Sequence, residues 1–304
     1  MGRVWVVGSL NVDRPWRVVR HPAVGETVVG EMLAPLPGGK GLNQAVAAVR
    51  AGADASLLGT VGDDADGRWL QGVARDEGID VAHVVAVADA ATGSALIVVD
   101  EAGANTVTVS AGANARTTFP EVPIAARDVV VAQLEVPVDA VTSALMVAHV
   151  TGARSILNPS PIGHGVALVP SADVVVVNQH EAAALVGPGT EPAADSAGAL
   201  AHAQRIRTGD QIVVVTLGAD GVVASGPSGD HVLAGIRVQP VDTTGAGDCF
   251  LGVLAAGLAR GDDLLPALER ANHAAAISVT RAGTVPAMPA AAELDDGGGA
   301  GVAG

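Results

Sequence analysis

One run of residues combines two glycines with an acid immediately before an apolar segment. Asp242-Thr243-Thr244-Gly245-Ala246-Gly247-Asp248 precedes Cys249–Ala259, whose composition predicts a helix. Glycines leave backbone N–H groups open to a ligand, and a helix N-terminus carries partial positive charge. The run therefore predicts an anion hole for phosphoryl oxygens, in which Asp248 accepts the proton of an attacking hydroxyl. Taken alone, it fits an ordinary glycine-containing loop equally well.

A second glycine cluster, Pro37-Gly38-Gly39-Lys40-Gly41-Leu42-Asn43-Gln44-Ala45, also precedes a predicted helix. Gly39 and Gly41 permit close backbone approach to a polar ligand, and the Asn43 amide offers both a donor and an acceptor to hydroxyls. The cluster is not a Walker A loop, because no Ser or Thr follows Lys40. Neither cluster has the spacing of the dinucleotide fingerprint, which counts against a Rossmann oxidoreductase. A glycine-capped turn remains the alternative interpretation.

Short β-branched runs alternate with alanine-rich segments along most of the chain. The predicted buried strands are Val4–Val7, Ser56–Val61, Asp128–Val131, Asp173–Val177 and Ile212–Val215. The predicted helices are Leu42–Arg50, Arg68–Asp76, Val138–Val147, Gly198–Ile206, Cys249–Ala259 and Leu264–Thr280. Continuous apolar runs are typical of parallel strands covered on both faces. The alternation therefore predicts a doubly wound α/β fold.

Two segments interrupt that alternation. Residues 11–37 are rich in Pro, Gly and Val, and residues 92–110 predict two strands, Ser94–Val99 and Thr106–Ser110, joined by a turn. We expect both segments to form a small β-sheet that acts as a lid, with its outer face as a dimer contact. The main domain then comprises residues 1–10, 38–91 and 111–290. Residues 291–304 are predicted to be a disordered tail.

Composition limits the partners and the compartment. The 304 residues carry a formal net charge of -15, which argues against a nucleic-acid partner. One cysteine excludes an intramolecular disulfide framework and favours a reducing cytoplasm. No apolar stretch reaches the ~18 residues of a membrane helix. The sequence therefore predicts a soluble cytoplasmic protein that has no membrane partner.

The order of the motifs resembles that of the PfkB family of carbohydrate kinases from about Val6 to Pro289. The collinear segments are Gly8–Asp13, Gly25–Thr27, Gly38–Ala45, Gly62–Asp64, Ala111–Asn114, Gln133–Glu135, Leu157–Pro159, Asn178–Glu181, Thr216–Gly221 and Asp242–Asp248. The resemblance implies a ribokinase-like three-layer α/β/α domain with a mainly parallel central sheet and a small β-sheet lid. It also implies ATP-dependent phosphorylation of a sugar hydroxyl, with D-ribose as the first expected acceptor, and a homodimer formed through the lid.

The same resemblance implies roles for individual residues. Asp248 is the expected base, and Gly245, Ala246 and Gly247 supply the anion-hole amides. The residues expected to hold the sugar are Asn11, Asp13, Gly39, Lys40, Gly41, Asn43, Glu135 and Asp248. Those expected on the nucleotide side are Asn178, Glu181, Thr216, Gly218, Ala219, Gly221, Gly247 and Asn272, with Asn178 and Glu181 organising phosphate and Mg²⁺.

Members of this family also bind a monovalent cation beside the anion hole. The matching positions are Asp242, Thr244, Ser278, Arg281, Gly283 and Ala287. Ala287 departs from the hydroxyl residue often found at its position. The resemblance therefore implies potassium dependence, with that one ligand in doubt.

The acceptor remains open between D-ribose and other substrates. The alternatives are a ketohexose, deoxyribose, 2-keto-3-deoxygluconate or a nucleoside. Related nucleoside kinases stack the base on aromatic residues, and Trp16 is the single aromatic residue in the predicted lid. Phosphorylated sugars call for basic residues, for which Arg14, Arg17 and Arg20 are the candidates, although a solvated lid face is the favoured explanation of them. A non-catalytic sugar sensor is disfavoured, since the acid and both glycines of the Asp242–Asp248 run are present.

Overall fold

The computed structural model describes residues 1–295. In chain order, its elements are β1 (Val4–Val7), β2 (Asn11–Val18), β3 (Gly30–Met32), β4 (Leu36–Gly38), α1 (Lys40–Arg50), β5 (Ala55–Gly62), α2 (Ala65–Asp76), β6 (Asp80–Val87), β7 (Gly93–Asp100), β8 (Asn105–Ser110), β9 (Val129–Gln133), α3 (Val138–Thr151), β10 (Arg154–Asn158), β11 (Val174–Asn178), α4 (Gln179–Val186), α5 (Ser196–Ile206), β12 (Ile212–Thr216), β13 (Gly221–Gly226), β14 (Gly229–Ala234), α6 (Ala246–Arg260), α7 (Leu264–Ser278) and α8 (Ala291–Asp295).

The valine-rich runs form the centre of a large sheet. Within residues 1–295 this sheet has nine strands, in the order β14-β13-β12-β11-β10-β9-β1-β5-β6. Neighbouring strands from β12 to β6 are parallel, whereas β13 and β14 add an antiparallel hairpin at one edge. Strand β1 lies in the interior, with Val6 opposite Leu57 on one side and Val131 on the other.

Helices cover both faces of the sheet, and β1 shows how the two faces are built. Val4 and Val6 point into a core that includes residues of α1, α2, α6 and α7, whereas Trp5 and Val7 point into a core that includes residues of α3, α4 and α5. Strand side chains alternate between faces, so a strand covered on both sides must be apolar at every position. The predicted three-layer α/β/α arrangement is confirmed.

A second, smaller sheet contains five strands of the described chain, in the order β3-β2-β7-β8, with β4 also paired to β2. Strand β2 runs parallel to β7, and Trp16 of β2 lies opposite Met32 of β3 and Val98 of β7. The predicted small sheet is therefore confirmed. Several of its apolar side chains remain solvent-exposed, among them Leu96, Val107 and Val109.

The chain after residue 290 differs from the expected tail. Residues 291–295 form the short helix α8, and Leu294 is buried against the main core. Glu293 pairs with Arg281, and Asp295 pairs with Arg270 at 2.5 Å. The prediction of disorder is wrong for this stretch because one leucine and two ion pairs hold it against the preceding helix and loop. Residues 296–304 lie outside the described part of the chain.

Other differences concern short or polar elements. The sequence patterns did not predict strands β6, β10, β13 and β14 or helix α4, and α7 ends two residues earlier than expected, at Ser278.

Among the helices in residues 1–295, none is both long and apolar enough to cross a lipid bilayer.

Candidate active site

The expected site residues follow the carboxyl ends of the central strands. Gly8 follows β1, Glu135 lies just beyond β9, and Asn178 and Thr216 end β11 and β12. Carboxyl ends of parallel strands meet at one edge of a sheet, where ligands of open α/β sheets bind. The first turn of α6 reaches the same edge, because Asp248 bonds to the Asn43 side chain of α1.

Asp248 lies in the first turn of α6 with 8% of its surface exposed. Its Oδ2 accepts a hydrogen bond from Asn43 Nδ2 at 2.9 Å, and its Oδ1 accepts one from Gln44 Nε2 at 2.8 Å. Each carboxylate oxygen has two lone pairs, so both can accept a further proton or hydrogen bond. The carboxylate is thus fixed in orientation and retains acceptor capacity.

Two further carboxylates and one lysine surround Asp248. Burial raises the pKa of Asp13 to about 7, and the neighbouring charges of Glu135 and Asp248 add to the shift. Burial alone would lower the pKa of Lys40, but the carboxylates of Asp248, Glu135 and Glu181 outweigh it, and the pKa is raised. Glu135 also accepts hydrogen bonds from the Ser9 hydroxyl and from the Lys40 backbone N–H. The ammonium of Lys40 therefore offsets a cluster of negative charge.

The glycines at the start of α1 allow the helix to approach the turn after β1. A Cβ on Gly41 would lie 2.5 Å from the carbonyl carbon of Gly8. Gly39 has φ 92°, and a Cβ there would lie 2.8 Å from the backbone nitrogen of Asn11. Side chains at either position would push these segments apart, so the two glycines bring Asn11 and Asn43 to the same region.

Asn11 is held at the base of the small sheet by a second amide. Asn114 Nδ2 donates to Asn11 Oδ1 at 2.7 Å, while Asn114 Oδ1 accepts from the Leu10 backbone N–H at 2.9 Å. Both asparagines are buried. The Asn11 amide is thus fixed in orientation, and it retains its Nδ2 donor and one oxygen lone pair for a ligand.

The run from Asp242 to Asp248 is a loop that ends in the N-terminus of α6. Gly245 precedes the helix with φ 75°, and a Cβ there would lie 2.2 Å from Thr284 Cγ2. Gly247 has no atom within 4 Å of its Cβ position, so the surface over the first turn is open. The Ala246 N–H already donates to the Thr243 carbonyl at 3.3 Å, whereas the amides of Gly247 and Asp248 precede the first intrahelical bond, made by Cys249.

Asp242 joins this loop to the segment after α7. Its Oδ1 accepts from the Thr244 N–H at 2.9 Å, and its Oδ2 accepts from the Gly283 N–H at 3.0 Å. Burial opposes ionisation, but these bonds outweigh it and hold the pKa of Asp242 below its usual value. Ser278 is buried and donates to a carbonyl of its own helix, and Ala287 is buried as well. Three of the six positions expected at the cation site, Asp242, Thr244 and Gly283, are thus brought together.

The residues expected on the nucleotide side form local structure of their own. Asn178 Oδ1 accepts from the N–H groups of His180 and Glu181, and Glu181 Oε2 accepts from the Asn178 N–H at 2.9 Å, which is a capping box for α4. Thr216 lies beside Asn178 in the sheet register. Asn272 donates to the Ala234 carbonyl at 2.9 Å, beside the hairpin of β13 and β14.

The capping box leaves Glu181 with one carboxylate oxygen outside that bond. No group of three or more His, Cys, Asp or Glu residues within residues 1–295 has the geometry of a protein metal cage. Mg²⁺ in phosphoryl-transfer enzymes uses one or two carboxylates together with water and phosphate oxygens. The donor set at Glu181 therefore fits a magnesium ion that arrives with a nucleotide.

Two clefts of about 880 and 500 Å³ open at the opposite, amino edge of the sheet, and no expected site residue lines either of them. The site is thus defined by converging polar groups rather than by cavity size.

The sequence of the chain matches that of a known protein family. The sequence profile described as pfkB family carbohydrate kinase matches residues 1–291. The chain belongs to the pfkB family of carbohydrate kinases. It is an ATP-dependent carbohydrate kinase, and its relatives cover nearly its whole length.

Three ribokinases illustrate how similar this pfkB kinase is to its relatives. The chain is 36% identical over 312 residues to the ribokinase of Schizosaccharomyces pombe, with 97% of each chain covered. It is 34% identical over 292 residues to the ribokinase of Haemophilus influenzae, covering 93% of this chain and 94% of the relative. The solved structure of Arabidopsis thaliana ribokinase complexed with ribose and ATP superimposes with a TM-score of 0.85 at 28% identity, covering 97% of this chain and 98% of that one.

The sequence patterns of the kinase did not single out four polar residues at the site. They are Ser9, Gln44, Asn114 and Gln133, all buried and all hydrogen-bonded to one another or to expected site residues. Each lies inside or at the end of a glycine-containing or strand-ending motif. The available signal was a polar residue where the surrounding pattern is apolar, since buried polar groups require a partner.

Proposed function

We propose that this kinase transfers the γ-phosphoryl group of ATP to D-ribose to give D-ribose 5-phosphate, with Asp248 as the general base. The observation that carries the proposal is the buried Asp248 carboxylate, held by two side-chain amides at the open N-terminus of α6. The relatives named as ribokinases support ribose as the acceptor.

In the proposed reaction, Asp248 accepts the proton of the sugar hydroxyl as its oxygen attacks the γ-phosphorus. The bond between that phosphorus and the bridging oxygen of ATP breaks, and ADP leaves with the electron pair. The backbone amides of Gly245, Ala246 and Gly247 face the transferring oxygens, as the helix N-terminus favours negative charge there. Because the Ala246 amide has a partner at 3.3 Å, it contributes only by exchanging that long bond.

The sugar lies in this proposal among polar groups from the turn after β1, the start of α1 and the end of β9. These groups belong to Asn11, Asp13, Gly39, Lys40, Gly41, Asn43 and Glu135. Asn43 Oδ1 is buried and has no hydrogen-bond partner within residues 1–295, which a donating hydroxyl satisfies. The arginines of β2 and the following turn already have carboxylate partners, which favours an unphosphorylated sugar. Arg14 pairs with Asp66, Arg17 with Glu31 and Arg20 with Glu26.

The nucleotide lies in this proposal against the ends of β11 and β12. Asn178, Glu181, Thr216, Gly218, Ala219, Gly221 and Asn272 form its binding surface. Mg²⁺, when bound, would neutralise phosphate charge, and Glu181 would help to hold it through a water molecule. Potassium, when bound, would be held beside the loop that Asp242 joins to Gly283, where the lowered pKa of Asp242 favours its ionised form.

The small sheet, residues 11–37 and 92–110, is proposed to act as a lid over the sugar and as the contact of a homodimer. Its exposed Leu96, Val107 and Val109 support a contact surface. The remaining residues, 1–10, 38–91 and 111–290, then form the main domain. A cytoplasmic location stays a prediction.

The test is an ADP-release screen with ribose, deoxyribose, fructose, tagatose, 2-keto-3-deoxygluconate and adenosine, performed in K⁺ and in a large organic cation at fixed ionic strength. We expect ribose to give the highest kcat/KM and the K⁺ reactions to be faster. Asp248→Asn should lower kcat by roughly 10²–10⁴-fold. Preference for a hexose or nucleoside would overturn the assignment of ribose, and full turnover by Asp248→Asn would overturn the assignment of the base.

A further inference from the structure

Two buried glutamines connect the centre of the main sheet to Asp248. Gln133, the last residue of β9, donates from Nε2 to Gln44 Oε1 at 2.5 Å, and Gln44, in α1, donates from Nε2 to Asp248 Oδ1 at 2.8 Å. Gln133 is 0% exposed and Gln44 is 1% exposed. A strand, a helix and a second helix are thus linked through three side chains that lie far apart in the sequence.

The charge of Asp248 fixes the direction of both amides. An ionised carboxylate can only accept hydrogen bonds, so Gln44 must turn its NH₂ group towards Asp248. Its oxygen then faces Gln133, which must turn its own NH₂ group towards Gln44. Both amide dipoles therefore point their positive ends at the carboxylate, and neither amide can flip without placing two acceptors or two donors against each other.

The packing around Gln133 favours the same orientation of its side-chain amide. A Cβ on Gly8 would lie 2.0 Å from Gln133 Oε1, so only glycine leaves room for this side chain. Gln133 Oε1 is buried and has no hydrogen-bond partner within residues 1–295. An unpartnered buried amide oxygen costs free energy. The observed orientation of the Gln133 amide is therefore held by the hydrogen bond that its Nε2 donates to Gln44.

We propose that Gln44 and Gln133 are positioning residues that act in series, Gln133 through Gln44, to hold the Asp248 carboxylate aimed at the acceptor hydroxyl. The proposal rests on the proposed role of Asp248 as the base. Neither glutamine needs to touch the sugar, because both are buried and act on Asp248, whose other carboxylate oxygen is bonded to Asn43.

The test uses Gln44→Met and Gln133→Met, which remove the amides and keep side-chain length. Gln44→Met is expected to lower kcat by roughly 10- to 100-fold, the effect of losing one hydrogen bond to a charged group. Gln133→Met should lower kcat by roughly 2- to 10-fold, because it removes a bond between two neutral amides. The KM for the sugar should change less than about threefold, because ground-state binding is untouched. A rise in KM at unchanged kcat would overturn the proposal.

Action in series makes a sharper prediction for the double variant. If Gln133 acts only through Gln44, Gln44→Met with Gln133→Met should be no slower than Gln44→Met alone. If the two glutamines instead had independent structural roles, the losses of kcat in the two single variants would multiply in the double variant. That result would contradict action in series. Should Gln133→Met fail to fold, Gln133→Leu removes the same donor with a smaller apolar side chain, and it should show the same loss of kcat.

Gln211 provides a matched control. It is also buried, at 4% exposure, but its Nε2 donates to the backbone carbonyls of Val169 and Ala172, at 2.6 and 2.7 Å, near the amino edge of the sheet. Gln211→Met should lower the melting temperature and leave the kcat of folded enzyme unchanged.

The failure of each proposal has its own signature. If Asp248→Asn inactivates the enzyme while Gln44→Met and Gln133→Met keep wild-type kcat, the positioning role alone is wrong. If Asp248→Asn stays active, the proposed base is wrong and the positioning role falls with it. A different preferred sugar affects neither result, since the variants are assayed with the sugar that the wild type uses best.

Discussion

Asp13 lies at the half-buried end of β2, close to the carboxylates of Glu135 and Asp248. Burial, aided by these charges, raises its pKa to about 7, so its ionisation changes within the range of ordinary assays. If Asp13 binds the sugar, the protonated form has lost part of its acceptor capacity. The ratio kcat/KM for the sugar should then fall roughly tenfold as the pH falls from 8 to 6. Asp13→Asn should have a lower kcat/KM that no longer changes over this range.

The raised pKa of Asp13 also makes the free energy of unfolding depend on pH, and the direction of this dependence follows from proton binding. Between the ordinary pKa of an aspartate, near 4, and about 7, the folded protein binds the Asp13 proton more tightly than the unfolded chain, so stability falls as the pH rises through this window. Asp13→Asn removes that loss. The variant should therefore gain roughly 2 kcal/mol in unfolding free energy relative to wild type as the pH rises from 5 to 8. Urea unfolding at both pH values checks this, with the exposed Asp63→Asn as control; equal gains for the two variants would count against the Asp13 shift.

At the scale of elements, the start of α6 contains two glycines with different requirements. Gly245 has φ 75° and no room for a Cβ, so Gly245→Ala should cost about 2 kcal/mol of stability. Gly247 is helical and faces open space, so Gly247→Ala should leave stability equal or raise it by about 0.5–1 kcal/mol.

The kcat of Gly247→Ala distinguishes an anion hole at the first turn of α6 from an ordinary glycine-containing loop. If phosphoryl oxygens occupy the space above Gly247, the added methyl group should lower kcat by roughly 10- to 100-fold in a protein that is at least as stable as wild type. Melting temperatures and initial rates measured on the same preparations decide this. Wild-type rates for Gly247→Ala would mean that the first turn of α6 does not contact the transferring group.

Elements that bury a continuous apolar run were predictable from the sequence, and elements set by tertiary contacts were not. Strand β11 was evident from four consecutive valines, whereas β6 contains Asp80 and His83, is largely not buried, and is defined by its pairing with β5. At the site, residue types suggested Asp248 and Asn43. The bond between Gln44 and Gln133 joins residues 89 positions apart, and no local pattern encodes it.

At the scale of the whole molecule, Asp64 joins three parts of the chain. Its carboxylate caps α2 through the Gly67 N–H at 2.7 Å and also accepts from the Thr92 N–H, at 2.8 Å, and the Thr92 hydroxyl, at 2.6 Å, where the chain enters the small sheet. Thr92 in turn accepts from the Gly62 N–H at the end of β5. One carboxylate thus connects the main sheet, a helix and the small sheet.

Asp64→Ala should lower the unfolding free energy by about 2 kcal/mol, since a helix cap and two further hydrogen bonds are lost together. Asp63→Ala is the control, because the Asp63 side chain is 64% exposed and pairs only with Arg68 on the surface. Chemical denaturation of both variants measures the difference. A similar small loss in each would show that the junction around Thr92 is held by other contacts.

The position of Trp16 has a spectroscopic consequence. The chain has three tryptophans and no tyrosine, so its near-ultraviolet fluorescence comes from three indoles. Trp5 is buried in β1 of the main sheet and Trp69 lies on α2, whereas Trp16 is part of the small sheet. With Trp5 and Trp69 replaced by phenylalanine, emission reports on the small sheet alone. Titration of this single-tryptophan protein with sugar and with nucleotide would then show, in real time, which of the two changes the surroundings of that sheet.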